Sequence, residues 1–226
     1  MQKNSAMAKL NQQQESSKQK LERITTKHYE QQLSWLQKKG MEVYGNQFKI
    51  VEEDKFLICR MLCYFLHDEE PAEKLNVNFN KGILITGPVG SGKTSIMNLM
   101  RFFLPVQNRY NIKSCRDVSF DFIKDGYETI HRYSRHSFNN HNPITWCFDD
   151  LGTEYNLKYF GNECNVMAEV LLSRYDLFVS RKLLTHVTTN LSASEIEEQY
   201  GNRIRSRLRE MMNLISFEKT TIDKRK

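Results

Sequence analysis

The stretch from residue 82 to residue 95, GILITGPVGSGKTS, joins a short apolar run to three glycines and one lysine. Glycines adopt backbone angles that other residues avoid, so a loop rich in them can turn its N–H groups inward as a cradle for phosphate. The positive end of a following helix strengthens such a cradle. Lys93 has the spacing to reach terminal phosphates, and the Thr94 hydroxyl has the spacing to ligate Mg²⁺. The stretch predicts an ATP site formed by Gly87, Pro88, Val89, Gly90, Ser91, Gly92, Lys93, Thr94 and Ser95.

Two adjacent carboxylates follow a second apolar run, in the stretch ITWCFDDLGTE. In enzymes with this type of phosphate loop, a carboxylate at the end of a neighbouring strand holds Mg²⁺ through its water shell. The spacing gives that role to Asp149. Asp150 then lies where it can orient or deprotonate the attacking water. The alternative is an Asp-Asp-Leu-Gly turn that only ends a strand.

A third polar position, Asn190, ends the stretch LLTHVTTN. A neutral amide there can hold the attacking water or the γ-phosphate. The segment NRIRSRLRE follows, with Arg203 and Arg207 four residues apart and therefore on one helical face. In one interpretation this face is simply solvated. In the other, it offers an arginine to the nucleotide of a neighbouring subunit.

The elements that must hold these residues alternate along the chain. From residue 81 onward, apolar runs suited to buried strands are separated by helical stretches, which predicts an α/β fold with a five-stranded parallel sheet covered by helices on both faces. The strand candidates are Gly82–Thr86, Ile112–Val118, Ile144–Phe148, Leu183–Thr189 and Leu214–Phe217.

Residues 1–45 are predicted to form a helical N-terminal extension, and residues 46–226 the core. The extension has spaced apolar positions that give its helices one apolar face. These positions are Leu21, Ile24, Tyr29, Leu33 and Leu36. Such a face either packs on the chain's own domain or forms a docking arm for a partner, and the sequence leaves both alternatives open. An apolar helix is expected next, over residues 50–67.

Composition and charge bound the class of protein. Hydrophobic residues make up 39% and charged residues 27% of the 226 residues, with no run long enough to cross a bilayer and no apolar secretion signal at the N-terminus. We therefore expect a soluble, cytoplasmic protein with no membrane partner. A net charge of +6 permits a polyanionic partner. Cys59 and Cys63 lie one helical turn apart in the apolar helix, where buried free thiols are favoured over metal ligands.

The order of the motifs is a glycine loop, then DDLGTE, TTNLS and YGNRIRSRLREM. This order resembles the AAA+ ATPases of the DnaC/IstB type, the bacterial helicase loaders and transposition helper ATPases. The resemblance covers roughly residues 80–217 and is densest over residues 169–211. It implies an ATP-driven homo-oligomer that binds DNA and a protein partner, such as a replicative helicase or a transposase. It also implies roles for Lys93 and Thr94 (Walker A), Asp149 (Walker B), Asn190 (sensor 1) and Arg207 (arginine finger, with Arg203 as its nearest rival).

The sequence departs from the wider AAA+ pattern at three points. The N-terminal segment matches no known partner-binding domain, which leaves the protein partner open. Many AAA+ proteins carry glutamate after the Walker B aspartate, whereas this chain has the shorter Asp150, which favours a switch over a motor. The chain also ends soon after the last strand candidate, so a helical lid is expected to be missing or minimal. Arg225 in the terminal IDKRK is the one candidate for a sensor-2 cation.

Two stretches that mix cations with aromatic residues are candidates for contact with DNA, since cations meet phosphates and aromatic rings stack on bases. They are KDGYETIHRYSRH before the Walker B strand and EYNLKYF after it. In the resembling family these segments line the path of DNA. The candidates are Arg132, Arg135, Tyr155 and Lys158, and the alternative is a solvent-facing helix and an ordinary loop.

Three classes of function fit the site. The favoured one is an ATP-hydrolysing protein that acts on DNA as a helicase loader or as a transposition or replication helper. A nucleotide-gated scaffold with little turnover is the main alternative, because of Asp150. A small-molecule kinase is disfavoured, because a kinase has no need of Asn190 followed by an arginine helix and would require an arginine-bearing lid.

Overall fold

Five parallel strands lie side by side in the order β2-β5-β8-β1-β9. The computed structural model describes residues 15–17, 19–139, 142–154, 157–159, 162–218, 220–221 and 223–224. The sheet strands are β1 (Gly82–Thr86), β2 (Asn111–Ser114), β5 (Trp146–Leu151), β8 (Thr185–Thr189) and β9 (Met212–Ser216). Two small antiparallel pairs lie outside the sheet: β3 (Phe138–Asn139) with β4 (Asn142–Pro143), and β6 (Leu157–Tyr159) with β7 (Asn162–Cys164). The predicted five-stranded parallel sheet is confirmed.

Helices precede the sheet and connect its strands. The first is α1 over residues 19–28. It is followed by α2 (Glu30–Tyr44), α3 (Glu52–Leu66), α4 (Glu69–Ala72), α5 (Lys93–Met100), α6 (Cys115–Asp125), α7 (Tyr127–Tyr133), α8 (Val166–Arg181), α9 (Ala193–Tyr200) and α10 (Asn202–Met211). Short 3₁₀ turns occupy Arg101–Phe103 and Val106–Asn108. The described residues after β9 contain no helix, so no helical lid is present in that part of the chain.

The sheet is buried on both faces, because side chains alternate along each strand. In β1, Ile83 and Ile85 belong to a core shared with helices α2, α3 and α5, whereas Leu84 belongs to a second core shared with helices α6, α8 and α10. Successive side chains of a strand point to opposite faces, so one apolar strand supplies both cores. Because the five strands run parallel, their polar C-terminal ends lie along the same edge of the sheet.

Four of the five predicted strand ranges have wrong boundaries. The candidate Leu183–Thr189 begins at Thr185, and the candidate Leu214–Phe217 is observed as Met212–Ser216. The candidate Ile112–Val118 ends as a strand at Ser114, whose hydroxyl accepts a hydrogen bond from the Asp117 N–H over 3.0 Å and caps α6. A serine cap satisfies a free N–H group of the first helical turn, so the chain enters a helix there. The candidate Ile144–Phe148 begins at Trp146 and runs on to Leu151, which takes both acidic residues into the strand.

The apolar face of the N-terminal helices packs on the chain's own core. Tyr29, Leu33 and Leu36 are buried in the cluster that also contains helices α3 and α5. Ile24, in contrast, is 59% exposed and does not join that core. The division at residue 45 and a docking role for the extension remain predictions.

A buried histidine lies in the middle of the sheet. His186 in β8 accepts a hydrogen bond at Nδ1 from the Ile83 N–H over 3.0 Å, with the rings of Tyr64, Phe65 and Tyr110 around it. Burial, together with the charge of Arg174, lowers the pKa of His186 to about 3. The ring is therefore neutral at physiological pH and serves as an acceptor within the sheet.

All five cysteines are buried and free. Burial raises the pKa of Cys59 to about 12, so that thiol is protonated at neutral pH. Among the helices that the structure describes, none has the length and apolar character needed to span a bilayer.

Candidate nucleotide site

The phosphate loop joins β1 to α5, and its lysine folds back over it. The Lys93 ammonium donates hydrogen bonds to the carbonyl oxygens of Gly87 and Pro88, each over 2.9 Å. Lys93 is only 5% exposed, at the first position of α5. The cation is therefore held at the mouth of the loop, where terminal phosphates of a bound nucleotide would attract it.

The backbone of the loop has the form that a phosphate cradle requires. Gly90 and Gly92 have φ angles of +80° and +95°, a left-handed conformation that favours glycine. The first N–H groups of α5 have no acceptor within the helix and are available to an anion. The buried Ser91 hydroxyl has no hydrogen-bond partner among the described residues. These donors fit the oxygen-rich phosphate chain of a nucleotide.

The Walker B aspartate is held by two threonines. The Thr94 hydroxyl lies 2.9 Å and 3.0 Å from the two carboxylate oxygens of Asp149. The Thr188 hydroxyl donates to Asp149 Oδ1 over 2.6 Å from the neighbouring strand β8. The sheet order explains this grouping, because β5 lies beside β8 and β8 lies beside β1. The two side chains that the sequence assigns to Mg²⁺ therefore lie in contact.

Burial raises the pKa of the Asp149 carboxyl, and the negative charge of Asp150 adds to the effect. Hydrogen bonds from Thr188 and Thr94 and the charge of Lys93 act in the opposite direction. A divalent cation would favour the ionised form. Thr94 and Asp149 are the side chains that would hold Mg²⁺ together with the phosphates. No group of three or more His, Cys, Asp or Glu side chains that could hold a metal occurs among the described residues.

Asp150 adopts an unusual backbone conformation. Its φ angle is +56°, in the left-handed region that residues other than glycine seldom occupy. Its N–H donates to the Thr188 hydroxyl over 2.9 Å, and its carbonyl accepts from the Thr153 hydroxyl over 2.7 Å. Non-glycine residues in this conformation concentrate at functional sites. The half-buried Asp150 side chain is at the same strand edge as Asp149, and its role with water remains a prediction.

Asn190 is exposed one residue beyond the end of β8, and no hydrogen bond of its side chain to another described residue is recorded. Thr188, two residues earlier, makes the contacts to Asp149 and Asp150 instead. Thr188 was not predicted from the sequence, because a threonine within an apolar strand indicates only β-propensity. A role of Asn190 toward the attacking water or the γ-phosphate remains a prediction.

The C-terminal segment lies against the phosphate loop. The Lys224 N–H donates to the Gly90 carbonyl over 3.0 Å, and its ammonium donates to the Ser91 carbonyl over 2.8 Å and to the buried Asp54 carboxylate. A methyl group added at Gly90 would collide with the Asp223 carboxylate. Neither Asp54 nor Lys224 was identified from the sequence. Arg225, the predicted sensor-2 cation, lies outside the described residues.

The arginines of α10 differ in their surroundings. The Arg207 guanidinium lies 4.5 Å from the centre of the Tyr175 ring and 4.0 Å from the Asp176 carboxylate, both on α8. Arg205 pairs with Glu197 over 2.6 Å. Arg203 is exposed and forms no recorded ion pair within the described residues. Arg207 is therefore covered by α8 of the same chain, whereas Arg203 is exposed to solvent.

Three of the four candidate DNA residues lie in the part of the chain that the structure describes. Arg132 is paired with Asp125 over 2.7 Å, and Arg135 is exposed with no ion pair recorded to another described residue. Lys158 lies in β6, opposite Glu163 of β7 in the strand register. Tyr155 lies outside the described residues. Contact of these four residues with DNA remains a prediction.

Comparison with protein families gives a match to the AAA domain over residues 55–223. A search of curated proteins found no match. The matched range takes in the phosphate loop, both aspartates and the arginine helix, which is about three quarters of the chain. The match therefore covers the elements that carry Lys93, Thr94, Asp149 and Asp150, whereas Asp54 and Lys224 lie just outside it.

Solved structures with the same fold include the DnaC helicase loader, with 17% identity and a TM-score of 0.53, covering 76% of this chain and 95% of that one. A putative primosome component from Streptococcus pyogenes has 18% identity and a TM-score of 0.53, with coverage of 76% and 83%. DnaI has 19% identity and a TM-score of 0.52, with coverage of 76% and 88%. At these identities the likeness concerns the fold. The chain belongs to the AAA domain family, with the fold of DnaC-type AAA+ proteins.

Proposed function

We propose that the protein binds and hydrolyses ATP in an Mg²⁺-dependent reaction and acts on DNA as a helicase loader or as a transposition or replication helper. The contact between Thr94 and Asp149 carries this proposal. It joins the hydroxyl of the phosphate loop to a carboxylate from another strand, which is the pair of oxygen ligands that holds Mg²⁺ beside a triphosphate. A loop that bound phosphate without Mg²⁺ would not need this pair.

Each residue has a separate task in the reaction. Lys93 exchanges its hydrogen bonds with the Gly87 and Pro88 carbonyls for contacts with the terminal phosphates. Asp150 orients or deprotonates the attacking water, and Asn190 holds that water or the γ-phosphate. Mg²⁺ bound by Thr94 and Asp149 would offset negative charge on the phosphates.

The reaction is completed by a neighbouring subunit. An arginine that stabilises the charge developing on the γ-phosphate must approach from outside the phosphate loop. Arg207 is the proposed donor in an ATP-dependent homo-oligomer. Because it now rests on Tyr175 and beside Asp176, assembly would have to draw it away from its own α8. DNA and a replicative helicase or transposase are the proposed partners, with Arg132, Arg135, Tyr155 and Lys158 on the DNA side.

A nucleotide-gated scaffold with little turnover is the second candidate. The covered position of Arg207 favours it, because this residue must move before it can act in hydrolysis. The short Asp150 side chain favours it as well, because it replaces the usual glutamate. A protein of this kind would bind ATP and assemble, but it would release phosphate slowly.

The two candidates are separated by ATP hydrolysis measured with Mg²⁺ in the presence and absence of single-stranded DNA, beside ATP binding in the same preparation. Hydrolysis that DNA changes by several-fold supports the proposal. ATP binding with no turnover under either condition supports the scaffold. The Lys93→Ala variant is the control, because it removes the cation at the phosphates. Wild-type hydrolysis in that variant would show that the phosphate loop is not the site.

A further inference from the structure

The turn that follows the Walker B aspartate is tied to the helix before the arginines. We call residues 151–154 the β5 turn. Glu154 in this turn is 9% exposed, and its Oε2 accepts the Gly152 N–H over 2.9 Å. Its other oxygen, Oε1, accepts a hydrogen bond from the Tyr200 hydroxyl. Tyr200 is itself 8% exposed and is the last residue of α9.

The β5 turn also contacts the end of β8 and the residues that lead from it into α9. The Thr189 hydroxyl donates to the Leu151 carbonyl over 2.6 Å. A Cβ at Gly152 would lie 2.6 Å from Leu191 Cδ1, so the leucine is packed directly on the turn. A capping box fixes the first turn of α9. The β5 turn is therefore in contact with the last residue of α9 and with the segment that leads into its first turn.

The arginine helix begins immediately after Tyr200. Gly201, with a φ angle of +84°, separates α9 from α10, and its N–H donates to the Glu197 carbonyl over 2.8 Å. The Arg205 guanidinium pairs with the Glu197 carboxylate over 2.6 Å. Helices α9 and α10 are thus joined by a backbone and a side-chain contact, and a displacement of α9 would move the residue from which α10 starts.

We propose that Glu154 and Tyr200 are positioning residues that couple the state of the nucleotide site to the orientation of α10. The inference rests on the proposed function, in which the Walker B edge meets Mg²⁺–ATP and an arginine of α10 serves the next subunit. A rearrangement of Asp149 and Asp150 on nucleotide binding displaces the β5 turn. Because the turn contacts the last residue of α9 and the segment that leads into that helix, α9 and α10 follow it.

The chemistry of the pair suits such a coupling. The Tyr200 pKa is raised, first by burial and then by the charge of Glu154, so the hydroxyl remains a donor. When a buried carboxylate loses one hydrogen-bond donor, one of its oxygens is left without a partner, which costs free energy. The Tyr200 contact therefore resists separation of the turn from α9, and the two move together.

A purely structural role would give a different result from coupling. Loss of a structural hydrogen bond lowers stability and leaves the response of α10 to nucleotide unchanged. Loss of a coupling contact leaves nucleotide affinity nearly unchanged and removes that response. Hydrogen exchange of residues 202–211, with and without Mg²⁺ and a non-hydrolysable ATP analogue, measures the response directly.

The experiment compares Tyr200→Phe with Tyr133→Phe. Tyr133 also donates to a carboxylate, Asp121 Oδ2 over 2.6 Å, but it lies on α7 and is not bonded to the β5 turn. We expect the analogue to change exchange in residues 202–211 several-fold in the wild type and in Tyr133→Phe, and less than twofold in Tyr200→Phe. Analogue affinity, measured in the same samples, should stay within about threefold. We also expect kcat of Tyr200→Phe to fall five- to tenfold, with the KM for ATP nearly unchanged.

A second variant guards against misfolding of the first. Glu154→Gln keeps the size of the side chain but cannot accept from both Gly152 and Tyr200 as the carboxylate does. The kcat of the double variant should be no lower than that of the slower single variant, because both changes remove the same contact between Glu154 and Tyr200. Additive losses in kcat, or a normal response of α10 in Tyr200→Phe, overturn the coupling. So does a wild type that binds the analogue without any response in α10. Failure of the wild type to bind the analogue overturns the proposed function itself.

Discussion

The Thr188 hydroxyl donates a hydrogen bond of 2.6 Å to Asp149 and accepts one of 2.9 Å from the Asp150 N–H. One side chain on β8 therefore holds both acidic residues of β5. The contact joins the residue proposed to hold Mg²⁺ to the residue proposed to act on water. It also gives β8 a second polar side chain at the site, besides the predicted Asn190.

Replacing Thr188 with Val should impair Mg²⁺-dependent turnover while preserving the shape of the side chain. The change removes a donor to a charged group and leaves the Asp150 N–H without an acceptor, each worth roughly 1–3 kcal/mol. We expect kcat to fall by about 10- to 100-fold, since about 1.4 kcal/mol corresponds to tenfold. Thr188→Ser keeps the hydroxyl and should stay near wild type. Equal rates for Val and wild type would remove Thr188 from the site.

The contact of Lys224 with Asp54 can be tested by a double-mutant cycle. Asp54 is buried, and burial raises its pKa while Lys224 lowers it. Lys224→Met should destabilise the protein by about 1–3 kcal/mol, less than for a fully buried pair, because the lysine side chain is 26% exposed. Adding Asp54→Asn should restore part of the loss, since no unpaired charge is left. Urea unfolding gives the free energy of unfolding of the wild type, both single variants and the double variant. If Lys224→Met destabilises the protein equally with and without Asp54→Asn, the pairing is contradicted.

Arg207 should act in trans on the nucleotide of the next subunit. Arg207→Ala should leave ATP affinity nearly intact and lower both turnover and ATP-dependent assembly, with a loss of roughly 10³-fold or more in kcat for an arginine finger. Arg203→Ala is the matched control on the same helical face. Mixing Arg207→Ala with Asp149→Ala subunits should restore activity at interfaces that join an intact finger to an intact Walker site. Two variants that co-assemble and stay inactive would count against the role in trans.

Charge reversal at Arg135 and at Arg132, the two arginines near the Walker B strand, should have different effects on DNA affinity. Arg135 is free of recorded ion pairs among the described residues, whereas Arg132 is already paired with Asp125. We therefore expect Arg135→Glu to weaken binding of single-stranded DNA more than Arg132→Glu, and to reduce the dependence of affinity on salt by about one counterion. The exposed Arg116 on α6 supplies the control, Arg116→Glu. Identical salt slopes for Arg135→Glu and Arg116→Glu would place the DNA contact elsewhere.

The free energy of unfolding should fall as the pH drops below about 6.5. His186 has a native pKa of about 3, against a value near 6.5 in the unfolded chain. Between these values the unfolded state binds about one proton more at this residue, so His186 contributes a loss of about 1.4 kcal/mol per pH unit. His186→Asn keeps an acceptor and should reduce that slope. An unchanged slope in His186→Asn would contradict a neutral buried histidine.

The sequence by itself determined the fold class and the chemistry of the phosphate loop. Glycine spacing, one lysine and one threonine are local features, and their meaning depends on the backbone conformation of a few consecutive residues. The apolar runs likewise predicted a parallel sheet, because strands buried on both faces need continuous hydrophobic sequence. The sequence predicted strand boundaries less well. Ser114 lies within an apolar run that predicts a strand, but its side chain caps α6 and ends the strand there.

The tertiary structure alone decided which distant side chains meet. Thr188 reaches Asp149 because β8 lies between β1 and β5, and no local pattern records that strand order. Lys224 meets Asp54 across 170 positions of the chain, and Glu154 meets Tyr200 across 46. Propensity and periodicity describe neighbours along the chain, whereas these contacts arise from the packing of whole elements. The residues that hold the site in place were therefore visible only in the folded protein.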